Sequence, residues 1–162
     1  MITYDSNLKE VMARLQANLK VLPPELANEC KNIALHNMAR EGNQVDTGSL
    51  DKWPARKRGQ ARNEGRKLLV DTGALRRGFR PIYGRTWFGV ANDLPYANAQ
   101  NQGVHQQVVV KAHRRRTRSG QTADVPSHSR EMNLTARTFI QNNEYLKKRL
   151  LRLVLRRLGY VQ

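Results

Sequence analysis

The sequence predicts an α+β domain with N-terminal helices, a small mostly antiparallel sheet carrying a long basic hairpin, and an amphipathic C-terminal helix. Three observations carry that expectation. Apolar residues recur at helical spacing near both ends of the chain, aromatic and β-branched runs occupy its middle, and a near-repeat flanks a Ser-Gly pair. With 162 residues the chain has one domain's length, read as a single domain over 1–162.

Leu8, Val11, Met12, Leu15, Leu19 and Leu22 share one helical face, so a first helix is expected from Asn7 to Leu22. Pro23 should end it, and Pro24 suits the first turn of a second helix. There Leu26, Cys30, Ile33 and Ala34 fall together, with Met38 beside them and Gly42 as the stop. Cys30 stands where a small core hydrophobe would. Residues 43–67 read as an exposed basic loop anchored by Trp53, because Lys52, Arg56, Lys57, Arg58, Arg62, Arg66 and Lys67 crowd it and Gly59 and Gly65 break any period.

Asp71 or Thr72 should cap a short helix with Leu75 and Phe79 one turn apart, closed by Pro81. Ile82 to Val90 reads as strand, Asn92-Asp93 as a turn, and Tyr96 to Gln102 as a short helix ended by Gly103. Gln107 to Ala112 is the strongest strand pattern. Val110-x-x-His113-x-Arg115 recurs as Val125-x-x-His128-x-Arg130 around Ser119-Gly120, which predicts a protruding hairpin over 107–130 with a basic tip. Finally Leu146, Leu150, Leu153, Val154 and Leu158 line one face of a helix from Tyr145 to Leu158, stopped by Gly159.

Twenty-nine Lys and Arg against 13 Asp and Glu give a net charge of +16. Such a surplus points to an anionic partner: nucleic acid, an acidic protein surface or an anionic membrane. Hydrophobic residues make up 39% and aromatics 6%, a thin supply for a core, so some surface is expected to find cover in partners. The lone Cys30 excludes an intrachain disulfide framework and fits a reducing compartment. The start MITYDSNLKE has no signal-peptide pattern, and no apolar run is long enough for a bilayer, so a soluble, cytoplasmic product is expected.

VDTGSL at Val45–Leu50 and VDTGAL at Val70–Leu75 repeat the motif that surrounds the aspartates of aspartic proteases. Two carboxylates sharing a proton need separate β-rich frameworks, and the stretch between Asp46 and Asp71 reads as a cationic loop without a strand. Turn and capping chemistry explains both copies. His36, His105, His113 and His128 match no zinc spacing, and no nucleophile elbow or phosphate loop occurs. No catalytic, cofactor-binding or metal-ligating residue is therefore assigned. Lys111, Arg114, Arg115, Arg116 and Arg118 form a dense cluster able to meet phosphates, without interleaved aromatics for base stacking. This leaves a basic nucleic-acid-binding protein as the alternative reading.

In chain order, the Trp53 loop, the segment Leu69, Asp71, Thr72, Gly73 and Leu75, then Tyr96, Ala97 and Gly103, then Ala136, Arg137 and Phe139 resemble the phage virion morphogenesis, or tail completion, family of Mu-like phages and prophages. The resemblance spans residues 1–158, departing at Gln100, where that family commonly has His, and at Thr138, where Pro is frequent. It implies a non-enzymatic protein of the virion head–tail junction, assembled in the host cytoplasm. The expected partners are its own copies in a six-fold or twelve-fold ring and neighbouring neck, portal or tail proteins, with non-specific contact to packaged DNA and no membrane. Trp53, Arg56, Lys57, Arg58, Lys111, Arg114, Arg115, Arg116 and Arg118 are the expected interface. Asp71, Thr72, Gly73, Leu75, Tyr96, Ala97, Gly103, Arg137 and Phe139 are expected to be structural.

Overall fold

A computed structural model describes residues 5–55 and 67–160 and has the expected α+β class. The N-terminal helical region is one helix, α1 (Asp5–Arg40), not two. Pro23 and Pro24 lie inside it. Each removes an internal N–H, a penalty of about 3 kcal/mol in an isolated helix. Docking offsets that penalty: Leu22 just before the prolines and Leu26, Ala27, Cys30, Ile33, Ala34 and Met38 after them are buried. Upstream of the prolines, Met12, Leu15, Leu19 and Val21 are exposed. The proline pair thus lies near the boundary between a half of α1 with exposed apolar residues and a half whose apolar residues are buried.

Gly42 is not the stop either. Glu41 takes the left-handed conformation (φ 55°), and Gly42 already belongs to β1 (Gly42–Asp46). A Cβ there would lie 2.7 Å from the Asp51 carbonyl oxygen, so glycine is required by close strand approach. Strand β1 pairs antiparallel with β2 (Ser49–Lys52), where a loop was expected. Trp53 follows directly: its backbone N–H donates to Glu41 O at 2.9 Å, and its side chain is buried. The stretch 43–67 therefore opens as a hairpin and a core residue rather than as a loop.

Helix α2 (Ala74–Arg77) is a single turn. Thr72 Oγ1 accepts from Ala74 N at 3.3 Å, but Gly73 occupies the cap, and the turn ends at Gly78 rather than at Pro81. Phe79 belongs to β3 (Phe79–Tyr83), which pairs with β4 (Phe88–Asn92). The stretch 82–90 is consequently a hairpin rather than one strand, and Trp87 lies against the turn glycine Gly84. Helix α3 (Ala97–Gln102) ends at Gly103, whose φ of 77° suits glycine.

Strands β5 (Val104–Val110), β6 (His113–Arg116), β7 (Thr122–Val125) and β8 (His128–Leu134) form two ladders, β5 with β8 and β6 with β7. Helix α4 (Glu144–Leu158) is capped by Asn143, whose Oδ1 accepts from Leu146 N at 3.0 Å, and ends at Gly159 (φ 82°). All four ladders are two-stranded and antiparallel, so the expected single small sheet is a set of hairpins.

Ala34, Met38, Trp53, Leu75, Phe79, Ala97 and Phe139 form the core, with the Phe79 and Phe139 rings edge to face at 5.2 Å. Asparagines, rather than a sheet, fasten the segment before α4. Asn101 Oδ1 accepts from Phe139 N (2.9 Å) and Ile140 N (3.1 Å), and its Nδ2 donates to Ile140 O. The nearly inaccessible Asn37 donates to Asn43 Oδ1 and Phe139 O and accepts from Gln44 N. Asn143 Nδ2 donates to Gln44 O at 2.8 Å. Helix α4 buries none of its residues fully. Its hold on the body combines half-buried Leu146, Leu150, Leu153 and Val154 with ion pairs from Lys148 to Asp46, Arg149 to Glu29 and Arg157 to Glu25.

Candidate functional site

The chain from Val104 to Leu134 forms a single arm. Its pairing keeps one register from Val104↔Leu134 through Val110↔His128 and His113↔Val125 to Arg116↔Thr122. The repeat legible in the sequence is thus a reciprocal pair: each Val-x-x-His copy sets its valine opposite the other copy's histidine. The histidines also make matching local contacts, His113 Nδ1 with Lys111 O at 2.9 Å and His128 Nδ1 with Pro126 O at 3.0 Å.

Lys111–Ala112 and Pro126–Ser127 stand outside the ladders, where Pro126 has no N–H to give. At the tip, Thr117 N donates to Gln121 O at 2.7 Å and Gly120 N to Thr117 O at 3.0 Å. Gly120 sits at φ 85°, the left-handed position that closes a three-residue hairpin loop. At ~3.3 Å per residue, such an arm reaches roughly 40 Å.

No described element packs extensively on this arm. Val104, Val108, Val110, Met132 and Leu134 alternate onto one face near its base and are half-buried, whereas Val109 on the opposite face is 66% exposed. Beyond the break, Lys111, Arg114, Arg115, Arg116 and Arg118 are all exposed. Arg114 pairs with Asp124 at 2.8 Å, both side chains 78% exposed, and Arg116 Nε donates to Gly120 O at 3.3 Å. Nearer the base, His105 faces Glu131 at 3.4 Å.

The other expected interface residues fare differently. Trp53 is 8% exposed and its Nε1 donates to Thr138 O at 2.9 Å, so its side chain braces the core. A large aromatic with one polar atom is stable inside once that atom finds an acceptor. Arg56, Lys57 and Arg58 lie outside the described residues.

The motif residues, far apart in sequence, converge. A cleft of about 380 Å³ is lined by Leu69 to Leu75, Tyr96, Gln100 and Arg137. Arg137 N donates to Gln100 O at 2.8 Å, tying the segment before α4 to α3. Gln100 Oε1 is a buried acceptor without a hydrogen-bond partner among the described residues. Leu75, Ala97 and Phe139 are core residues behind the cleft, and Gly103 allows Leu134 O and Ala136 N to come within 2.9 Å of where a Cβ would be.

The two Asp-Thr-Gly copies serve different local structures with the same glycine geometry. Gly48 (φ 85°) turns the β1–β2 hairpin and Gly73 (φ 77°) leads into α2. Asp46 binds Lys148 at 2.9 Å and is not among the residues lining the Asp71 cleft. Hydrogen bonding from the Lys148 ammonium holds the Asp46 carboxyl below its usual range, and Arg80 does the same to Asp93. Burial pushes the Cys30 thiol up, which keeps it protonated and unreactive. Among the described residues no group of three or more His, Cys, Asp or Glu is placed to hold a metal ion, and no helix is long and apolar enough to cross a membrane.

Sequence reading missed a second surface. Tyr83, Trp87 and Phe88 on the β3–β4 hairpin are exposed, as is Leu19 on α1. A cavity of about 710 Å³ lies between Leu19 and Tyr83, lined also by Pro23, Pro24 and Arg85 among others. The aromatic run was visible, but as a strand pattern rather than as a surface. No family model, curated protein or solved structure matches this chain, so the chemistry of the arm, the cleft and the aromatic surface rests on their own residues.

Proposed function

We propose that this chain is a structural protein of a phage head–tail junction, acting by docking to neighbours in a virion rather than by catalysis. The observation that supports this reading is the amount of surface left uncovered by folding. A two-stranded ribbon is marginal in water on its own, yet the arm from Val104 to Leu134 stands with no broad support from the body. Exposed Leu19, Tyr83, Trp87 and Phe88, the first two lining a cavity of about 710 Å³, are of the residue types that anchor protein interfaces. In this reading the aromatic surface and α1 contact identical copies in a ring whose contacts close on themselves, and the arm reaches outward.

The test is assembly. Mature particles should contain the chain at the neck, and the purified protein should form closed oligomers or bind neck components. Replacing Trp87 with Ala should lower oligomer yield without unfolding the subunit. A purified protein that stays a lone subunit and is missing from particles overturns the reading.

A further inference from the structure

We propose that the distal half of the arm, from Lys111 to Val125, is a sequence-independent duplex DNA-binding ribbon that seats in a groove. This goes beyond the assembly reading and does not depend on it. The first argument is charge distribution. Because side chains alternate across a ladder of unbroken register, Arg114 and Arg116 project from one face with Asp124 and Thr122 opposite them. His113 and Arg115 project from the other face, opposite Val125 and Ala123. Arg118 adds a cation at the tip. Cations on both faces match a groove whose two walls both carry phosphates. A flat acidic protein surface would engage one face and leave the other in water.

The second argument concerns the available anions. Asp124 is the lone carboxylate of the distal half, and it engages Arg114 alone. A second copy of this chain is a poor electrostatic partner, because it carries 29 Lys and Arg against 13 Asp and Glu, and Glu25, Glu29, Asp46, Asp93, Asp124 and Glu144 already pair with an Arg or Lys. Shape supplies the third argument. A major groove is about 12 Å wide and admits a two-stranded ribbon. Thr117, Ser119 and Gly120 make the tip slim, and no Phe, Tyr or Trp occurs between Val104 and Leu134, so single-stranded bases find no large aromatic stacking platform. The unpaired rows at Lys111–Ala112 and Pro126–Ser127 let the distal ladder turn relative to the proximal one and follow a groove.

The experiment is a salt titration of the full chain against three probes: an arbitrary-sequence DNA duplex, a single strand of equal length, and polyglutamate. The duplex should bind most tightly, with a log–log salt slope of roughly −4, as expected for four to five neutralised phosphates. The double substitution Arg115→Ser and Arg116→Ser should reduce that slope by about 2 and weaken binding at least tenfold, while Arg115→Lys with Arg116→Lys keeps the slope. Far-UV circular dichroism of each variant verifies folding, and the Lys variant preserves the test if the Ser variant misfolds. Polyglutamate bound as tightly as duplex would overturn the proposal in favour of an acidic protein partner. Absent duplex binding, or a slope that neither Arg115 nor Arg116 affects, would also overturn it.

Discussion

The hairpin β3–β4 and the arm are both antiparallel ribbons, but they answer to different forces. Strands β3 and β4 lie against α1, and Phe79 and Val90 pack in or against the core. Their geometry is enforced by the surface they cover. The arm is longer and has no such backing, and its outer half is cationic on both faces. Its geometry is set by the ladder and turn alone until something else covers it. The lesson is that one chain combines a body whose elements cover one another with an arm that no described element covers broadly.

The largest expected break in that comparison is Trp53→Ala. It should lower global stability by ~3–5 kcal/mol, from the lost core volume and the lost bond to Thr138, as read by urea denaturation. Next comes Asn101→Ala, which strands the part-buried N–H groups of Phe139 and Ile140 and should cost about 1–3 kcal/mol while leaving the arm's own hydrogen-exchange protection unchanged. Gly42→Ala drives a methyl into the Asp51 carbonyl and should destabilise by roughly 1–3 kcal/mol.

Acid titration should have a smaller effect. The depressed carboxyls of Asp46, Asp93 and Glu144 add stability above the ordinary carboxylate range and lose it as pH falls through their lowered values. The melting temperature should accordingly slip modestly below about pH 4, and Lys148→Ala should flatten that slope. The smallest effect belongs to the arm: joint replacement of Arg115, Arg116 and Arg118 by Ser should move global stability by no more than about 0.5 kcal/mol. A large loss there would mean that body and arm are one cooperative unit.

Periodicity and glycine made much of this fold legible. The Val-x-x-His repeat located the arm and its pairing, Gly103 and Gly159 located two helix ends, and the α4 face was readable from its leucines. What stayed hidden depends on tertiary context. Proline is a local signal, and only the burial of Leu22 to Met38 lets α1 run through Pro23-Pro24. Trp53 sits among charges in the sequence, and only Thr138 O and Phe139 from far along the chain reveal its core role. Asn37, Asn101 and Asn143 have no period at all, since a side-chain amide that ties two loops together leaves no pattern in either. Asp71, Tyr96 and Arg137 were legible as motif residues in chain order, but that they share one cleft with Gln100 emerges only from the tertiary fold.

The unbroken register of the arm also restricts how its length could ever change. Deleting one residue from a single strand of the base ladder would exchange its half-buried and exposed faces, turning valines such as Val104 and Val108 toward solvent. Growth or shortening is tolerated only as matched events, two residues on each strand at a time. Natural variants of this protein should therefore differ in reach by discrete steps of about 7 Å, and never by a single residue.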